Sequence, residues 1–71
     1  RLYLLPAGDF ELPYGSNAVL VKNITEDNVT VEVLLKDSEG QYVSTVFYPG
    51  WNPELVIGIR AVPENTLQVG N

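Results

Sequence analysis

The sequence contains no cysteine, no histidine and no methionine. The first two absences each remove a class of chemistry. Without cysteine there is no disulfide, no thiolate nucleophile and no cysteine-rich zinc site. Without histidine the chain lacks the usual general base and the commonest metal ligand. Because a translation product starts with methionine and this chain starts with Arg1, we expect it to be the ordered part of a slightly longer chain.

Basic residues are scarce as well. Four Lys and Arg stand against nine Asp and Glu, which gives a net charge of −5. Nucleic-acid binders need a basic face for the phosphate backbone, and an anionic membrane surface attracts the same kind of face. No apolar run approaches the roughly 20 residues that a helix needs to cross a bilayer. We therefore predict no nucleic-acid partner and no membrane partner.

Turn-forming residues divide the rest of the sequence into short segments. Clusters such as Pro49-Gly50-Trp51-Asn52-Pro53 are typical of turns. The segments between them are rich in Val, Ile, Leu, Thr and Tyr, and they are too short for helices of about ten residues. We predict a single all-β domain over residues 1–71, a small antiparallel β-sandwich or barrel of about six or seven short strands. The predicted strands are Leu2–Leu5, Asp9–Leu12, Ala18–Asn23, Val29–Asp37, Gln41–Tyr48, Glu54–Val62 and Thr66–Val69.

The central hairpin has the clearest pattern. Apolar and polar residues alternate from Val29 to Lys36, which is typical of a strand with one buried face. A type I turn closed by a glycine bulge at residues 37–40 would place Val33 opposite Thr45. This register gathers the apolar residues of both strands on one face. The residues predicted to form the core are Val31, Val33, Leu35, Phe47, Ile57 and Ile59.

The opposite face of this hairpin is less polar than a solvated sheet face should be. Two interpretations remain open. One is structural: a second packed face, or simply the usual share of apolar atoms that a protein surface exposes. The other is a contact between subunits. The candidate interface residues are Leu34, Tyr42, Val46, Tyr48 and Trp51.

The length of 71 residues also favours assembly. Below roughly 70–80 residues a single core rarely supplies more than about 3–5 kcal/mol of net stability. Natural domains of this size usually add a disulfide, a metal or oligomerisation, and an unusually well-packed monomer is the alternative. Because the first is absent and the second has no evident ligands, we predict a homo-oligomer or docking to a larger assembly.

Acidic residues are the remaining candidates for catalysis. Asp9 and Glu11 lie two positions apart on a short predicted strand, so they could form a carboxylate pair for acid–base chemistry on a sugar. Solvation of an edge strand is the favoured interpretation. The calcium-loop pattern and glycine-rich phosphate loops are both missing. We predict that the protein is not an enzyme, with no catalytic residue, no cofactor-binding residue and no metal site.

Two glycosylation triplets occur, at Asn23-Ile24-Thr25 and Asn28-Val29-Thr30. In a secreted eukaryotic protein they could carry glycans. Because Asn and Thr also belong at turns and strand ends, a structural role is favoured.

The aromatic residues likewise allow two interpretations. They could form a platform on which sugar rings stack, or they could belong to the core. Trp51 is predicted to cap one end of the core with its indole N–H at the rim. The seven aromatics are Tyr3, Phe10, Tyr14, Tyr42, Phe47, Tyr48 and Trp51.

The last third of the chain resembles a known family. Val46–Val56 contains the Pro-Gly-Trp-Asn-Pro turn, and it is followed by the strand Ile57–Val62 and by Thr66–Gly70. This ending is similar to that of small β proteins encoded among the structural genes of tailed bacteriophages, and to head spike-base proteins of phage-like gene transfer particles. The resemblance covers roughly residues 17–71. It departs from the family at the hairpin turn, where an Asp-Gly-Thr-like sequence is common, and at Asn71, where an aromatic or apolar residue is more usual.

The resemblance implies an assembly role. It implies no enzyme activity, cofactor or metal, but self-association around a symmetry axis and contact with other virion proteins. We therefore expect a non-enzymatic structural component located in the virion: a head spike base, a decoration protein or a tail-associated adaptor. The alternative is a carbohydrate-binding or adhesion module whose partner would be a host-surface glycan.

Overall fold

Seven β-strands make up the fold, and no helix occurs among residues 1–13 and 15–70, which a computed structural model of the chain describes. The prediction of a small all-β domain is confirmed; Tyr14 and Asn71 lie outside the described residues. All strands but one begin and end within two residues of the predicted bounds. They are β1 (Tyr3–Leu4), β2 (Gly8–Glu11), β3 (Val19–Asn23), β4 (Val29–Leu35), β5 (Tyr42–Phe47), β6 (Gly50–Val62) and β7 (Leu67–Gly70).

The strands belong to one antiparallel sheet with the order β1-β7-β3-β6-β4-β5, and β2 also pairs with β6. Strand β6 is the centre of the sheet. Its first half pairs with β3 and its second half with β2, while β4 lies along its other edge. Strands β3, β4, β5, β6 and β7 all contribute to one core. Because a flat sheet cannot enclose side chains on its own, the sheet must curl around that core.

Strand β6 can curl because it carries extra residues opposite each of its neighbours. Residues 53–55 form a bulge against β3, and Pro53, which cannot donate to a ladder, lies there. Ile57 is the extra residue against β4. Near Ala61, which has a φ of 52°, an extra residue lies opposite β2. Such bulges bend a strand and increase its twist.

The core differs from the prediction in β6. Val31, Val33, Phe47 and Ile59 are buried as predicted. Leu35 is only partly buried, although it packs against the core. Ile57 is also only partly buried, because it lies in the bulge, and Val56 takes the inward position instead. The remaining core residues, which were not predicted, are Leu5, Val21, Val62, Leu67 and Val69.

The register of the β4–β5 hairpin also differs from the prediction. Val33 lies opposite Val43 rather than Thr45, a shift of two residues that leaves the faces unchanged. The turn is the reason, because it is not a type I turn closed by one glycine. Glu39 and Gly40 both have positive φ, as the central residues of a type I′ turn do, and the Gln41 N–H donates to the Ser38 carbonyl at 3.1 Å.

The segment 49–53 is not the predicted turn, since β6 already begins at Gly50. There the side chain of Asn52 forms the hydrogen bonds that the backbone of a neighbouring strand would otherwise form. Its Oδ1 accepts from the Tyr48 N–H at 3.0 Å, and its Nδ2 donates to the Tyr48 carbonyl at 2.9 Å. Trp51 points outward with 51% of its surface exposed, so the prediction that it caps the core is wrong. Phe47 fills the core instead.

Candidate interaction surface

The outer face of the β4–β5 hairpin brings together three of the predicted interface residues. Leu34 lies directly opposite Tyr42, and Val46 is on the same face of β5. We call Leu34, Tyr42, Ser44 and Val46 the hairpin patch. Val46 is 36% exposed, whereas Leu34 and Tyr42 are partly buried. No second layer therefore covers Val46, so the interpretation as a packed face does not apply to this part of the patch.

An arginine and a glycine of β6 hold the aromatic residue of the patch. The Arg60 guanidinium lies 3.8 Å from the centre of the Tyr42 ring, a cation–π contact. Arg60 also forms an ion pair of 3.4 Å with Glu32 on β4. At Gly58 a β-carbon would lie 2.9 Å from the Tyr42 hydroxyl, so the absence of a side chain leaves room for that hydroxyl. The ring is thus positioned by two residues that the sequence did not single out.

The other two predicted interface residues lie elsewhere. Trp51 is opposite Lys22 on β3, in the part of β6 that does not pair with β4. Tyr48 follows the end of β5 and is 59% exposed. The structure therefore divides the predicted surface into the hairpin patch and a second region around Trp51. Lys22 in turn faces Gln68, which faces Leu4, so this second region extends across β3 and β7 to β1.

The grooves of the surface do not single out a small-molecule site. The groove beside the hairpin turn has a volume of about 330 Å³, and so does the one between Asn17 and Ile57. The first contains Glu54, whose Oε1 is buried and has no hydrogen-bond partner among the described residues. Ligand pockets usually enclose most of the ligand in a mostly apolar cavity with a few convergent polar groups. These grooves are instead open to solvent.

One of the two acidic residues considered for catalysis has a structural role. Asp9 Oδ1 accepts from the Ala61 N–H at 2.8 Å, which fixes the bulge of β6. Glu11 is exposed on β2, opposite Gly58. In the part of the chain that the structure describes, no three acidic residues gather as metal ligands would. The predicted absence of a metal, a cofactor and catalysis remains a prediction.

The first glycosylation triplet also has a structural use. Asn23 is 2% exposed, and its Nδ2 donates to the carbonyls of Asp27 at 2.8 Å and Phe47 at 2.9 Å. Its Oδ1 accepts from the backbone N–H of Thr25 at 2.9 Å. Because both Nδ2 hydrogens are used inside the fold, a glycan at Asn23 is incompatible with this structure. Asn28 in the second triplet is exposed.

Sequence reasoning missed Arg60, Gly58 and Asn52. An Arg in a strand gives no sign of which ring it will cover, and the partner strands of β6 are distant in sequence. For Asn52 a signal did exist, because an Asn directly before a proline, here Pro53, is a residue type whose side chain often bonds nearby backbone groups.

Two further results concern membrane-spanning helices and similarity to known proteins. None of the described residues forms a helix with the length and hydropathy needed to cross a membrane. A comparison with protein-family models finds no match, and comparisons with curated proteins and with solved structures find no significant similarity.

Proposed function

We propose that the chain is a non-enzymatic structural component of a tailed-phage virion, acting by self-association and by docking to neighbouring proteins. Its place in the particle would be a head spike base, a decoration site or a tail-associated adaptor. The observation that carries this proposal is the hairpin patch beside the β5 edge of the sheet. Such a combination of apolar side chains, an aromatic ring and an arginine is enriched at protein interfaces.

The size of the domain supports the same proposal. Among the described residues the core contains ten buried apolar side chains, and the chain has no cysteine for a disulfide. A chain of this length buries a smaller share of its surface than a larger domain does, so assembly with other proteins adds stability that the core alone supplies only in part. A particle component obtains that stability from its neighbours.

The test is whether the protein belongs to particles. Phage particles from a culture of the organism that carries the gene are purified on a density gradient and labelled with an antibody against the domain. We expect the label at one position of the particle and the protein in the particle fraction. Protein that remains entirely in the soluble fraction, while capsid proteins band normally, would overturn the proposal.

A carbohydrate-binding or adhesion module is the second candidate. The exposure of three rings favours it: Tyr3 at 61%, Tyr48 at 59% and Trp51 at 51%. Exposed rings can stack on the faces of sugars. A glycan array that gives signal with the parent and none with Trp51→Ala would favour this candidate, whereas no signal with either would remove it.

A further inference from the structure

The outer edge of β5 has backbone groups that point away from the sheet. The Lys36 N–H donates to Leu55 of β6 at 2.9 Å, while the N–H of Leu35 bonds to Ser38 in the hairpin turn. Along a strand the direction of these groups alternates, so odd-numbered residues of β4 face β5. They pair with odd-numbered residues of β5. The N–H and C=O groups of Tyr42, Ser44 and Val46 therefore point outward.

The environment of Tyr48 independently supports this assignment. Tyr48 has the same parity as Ser44 and Val46, and both its N–H and its C=O bond to the side chain of Asn52. Asn52 thus covers the outward groups just beyond the end of β5. Within the described residues, β5 itself pairs with β4 alone. The edge is closed at Tyr48 and open over the three preceding outward residues.

The β5 edge lacks the features that usually prevent strands from pairing. Its sequence from Tyr42 to Phe47 contains no charged residue, no proline and no glycine. Natural edge strands are usually shortened, charged or bulged. The other exposed edges follow that rule, because β1 has two residues and β2 carries Asp9 and Glu11. Among the edges formed by described residues, the open edge of β5 is the exception.

We propose that β5 pairs antiparallel with β5 of a second copy, about a two-fold axis at Ser44. This inference rests on the self-association part of the proposed function. Centring the axis on Ser44 places Tyr42 opposite Val46 of the other copy and joins every outward residue to an outward residue. Such pairing forms roughly six hydrogen bonds, two per pair, whereas an axis at Thr45 would form roughly four.

Charge favours a second copy of the chain as the occupant. The net charge is −5, so two copies meet most favourably where unpaired acidic residues are absent. Along the hairpin the nearest acidic residue on the outer face is Glu32, which faces Ser44 and is already paired with Arg60 at 3.4 Å. In the dimer the two Glu32 residues would be separated by three strand spacings, about 14 Å, which exceeds the screening length of about 8 Å at physiological salt.

The size of the contact predicts its strength. Six paired residues extend over about 20 Å, so the strands and the hairpin patch bury less than the roughly 800 Å² per partner of a stable complex. We therefore expect a weak, reversible dimer, with a dissociation constant in the tens to hundreds of micromolar. In a particle, high local concentration would favour the same contact.

Charge substitutions at Ser44 test the axis. In the proposed dimer Ser44 faces its own counterpart, so Ser44→Lys and Ser44→Glu should each weaken dimerisation by up to about fivefold through like-charge repulsion. A mixture of the two variants should form a heterodimer at least as well as the parent dimerises. Thr30→Lys and Thr30→Glu are the matched controls, because Thr30 is exposed on the same face one strand further from the edge. Sedimentation velocity measures all of these.

A single cysteine gives a second, geometric test. The chain has no cysteine of its own, so Ser44→Cys introduces one thiol per copy. Directly opposite hydrogen-bonded residues have Cα atoms about 5.5 Å apart, within the range of a disulfide. Under mild oxidation with copper-phenanthroline, Ser44→Cys should form a linked dimer about tenfold faster than Thr30→Cys, which lies away from the axis.

The outcomes separate this inference from the proposed function. If the parent dimerises but the Ser44 variants behave like the Thr30 controls, self-association stands and the β5 axis is wrong. If the parent remains monomeric at millimolar concentration, the inference is overturned even where the antibody labels particles. Selective heterodimer formation together with fast Ser44→Cys linkage supports it whether or not the protein is found in particles.

Discussion

Strands β4 and β6 lie side by side in the sheet, yet only β4 follows a simple alternation. In β4 the buried residues Val31 and Val33 are two positions apart, as the pleat of a strand requires. In β6 the buried residues Val56 and Ile59 are three positions apart, because Ile57 is inserted opposite β4. The comparison teaches that a strand's pattern predicts its buried face only while its neighbours match it residue for residue.

The largest expected effect compares two isoleucines of β6. Ile59→Ala should lower the free energy of unfolding by about 2–5 kcal/mol, because Ile59 is fully buried opposite Val33. Ile57→Ala should lose less than half as much, since Ile57 is only partly buried. Urea denaturation of both variants measures the difference. Equal losses would mean that β6 has no bulge at this point and alternates as β4 does.

A second prediction concerns the close approach of β6 to the hairpin. Gly58→Ala would place a β-carbon 2.9 Å from the Tyr42 hydroxyl and 3.3 Å from the Phe10 carbonyl. We expect a loss of about 1–3 kcal/mol in thermal or chemical unfolding, typical of overpacking. Tyr42→Phe in the same chain should recover part of that loss, because the hydroxyl can no longer clash. No recovery would assign the strain to the Phe10 backbone alone.

The third prediction is a substitution that should stabilise the protein rather than destabilise it. Ala61 has a φ of 52°, a conformation that costs a residue with a β-carbon about 1–2 kcal/mol relative to glycine. Ala61→Gly should therefore raise the free energy of unfolding by up to about 1 kcal/mol after the entropy of the unfolded chain is included. Ala7→Gly is the control, an exposed alanine with ordinary φ, and should be slightly destabilising. A loss at both positions would contradict the bulge at Ala61.

The smallest effect on stability is expected at the ion pair between Glu32 on β4 and Arg60 on β6. Glu32→Gln removes the charge that pairs with Arg60, but both side chains are more than half exposed. Double-mutant cycles on such pairs give about 0.2–1 kcal/mol, and salt reduces that value. We expect a loss in this range at low ionic strength that vanishes in high salt. A larger loss that salt does not affect would mean that the pair is packed rather than solvated.

Local sequence was sufficient for the existence and bounds of most strands. Alternation identified β4 and β5, and turn residues bounded the short strands around them. The hairpin register was displaced by two because the positive φ at Glu39 lies at a residue type that rarely adopts it. For the candidate surface, Leu34, Tyr42 and Val46 came together as the pattern indicates, whereas Trp51 did not join them, since its strand neighbour is Lys22.

The sequence alone determined the class of fold, the two faces of the hairpin and the absence of charge along β5, because these depend on residues close together in the chain. Only the tertiary structure decided which residues of β6 turn inward and which strand edge remains open. Strand β6 pairs with β2, β3 and β4, and its bulges arise from fitting three neighbours at once. The open edge follows from the order of the strands, which is set by how the whole sheet curls around its core.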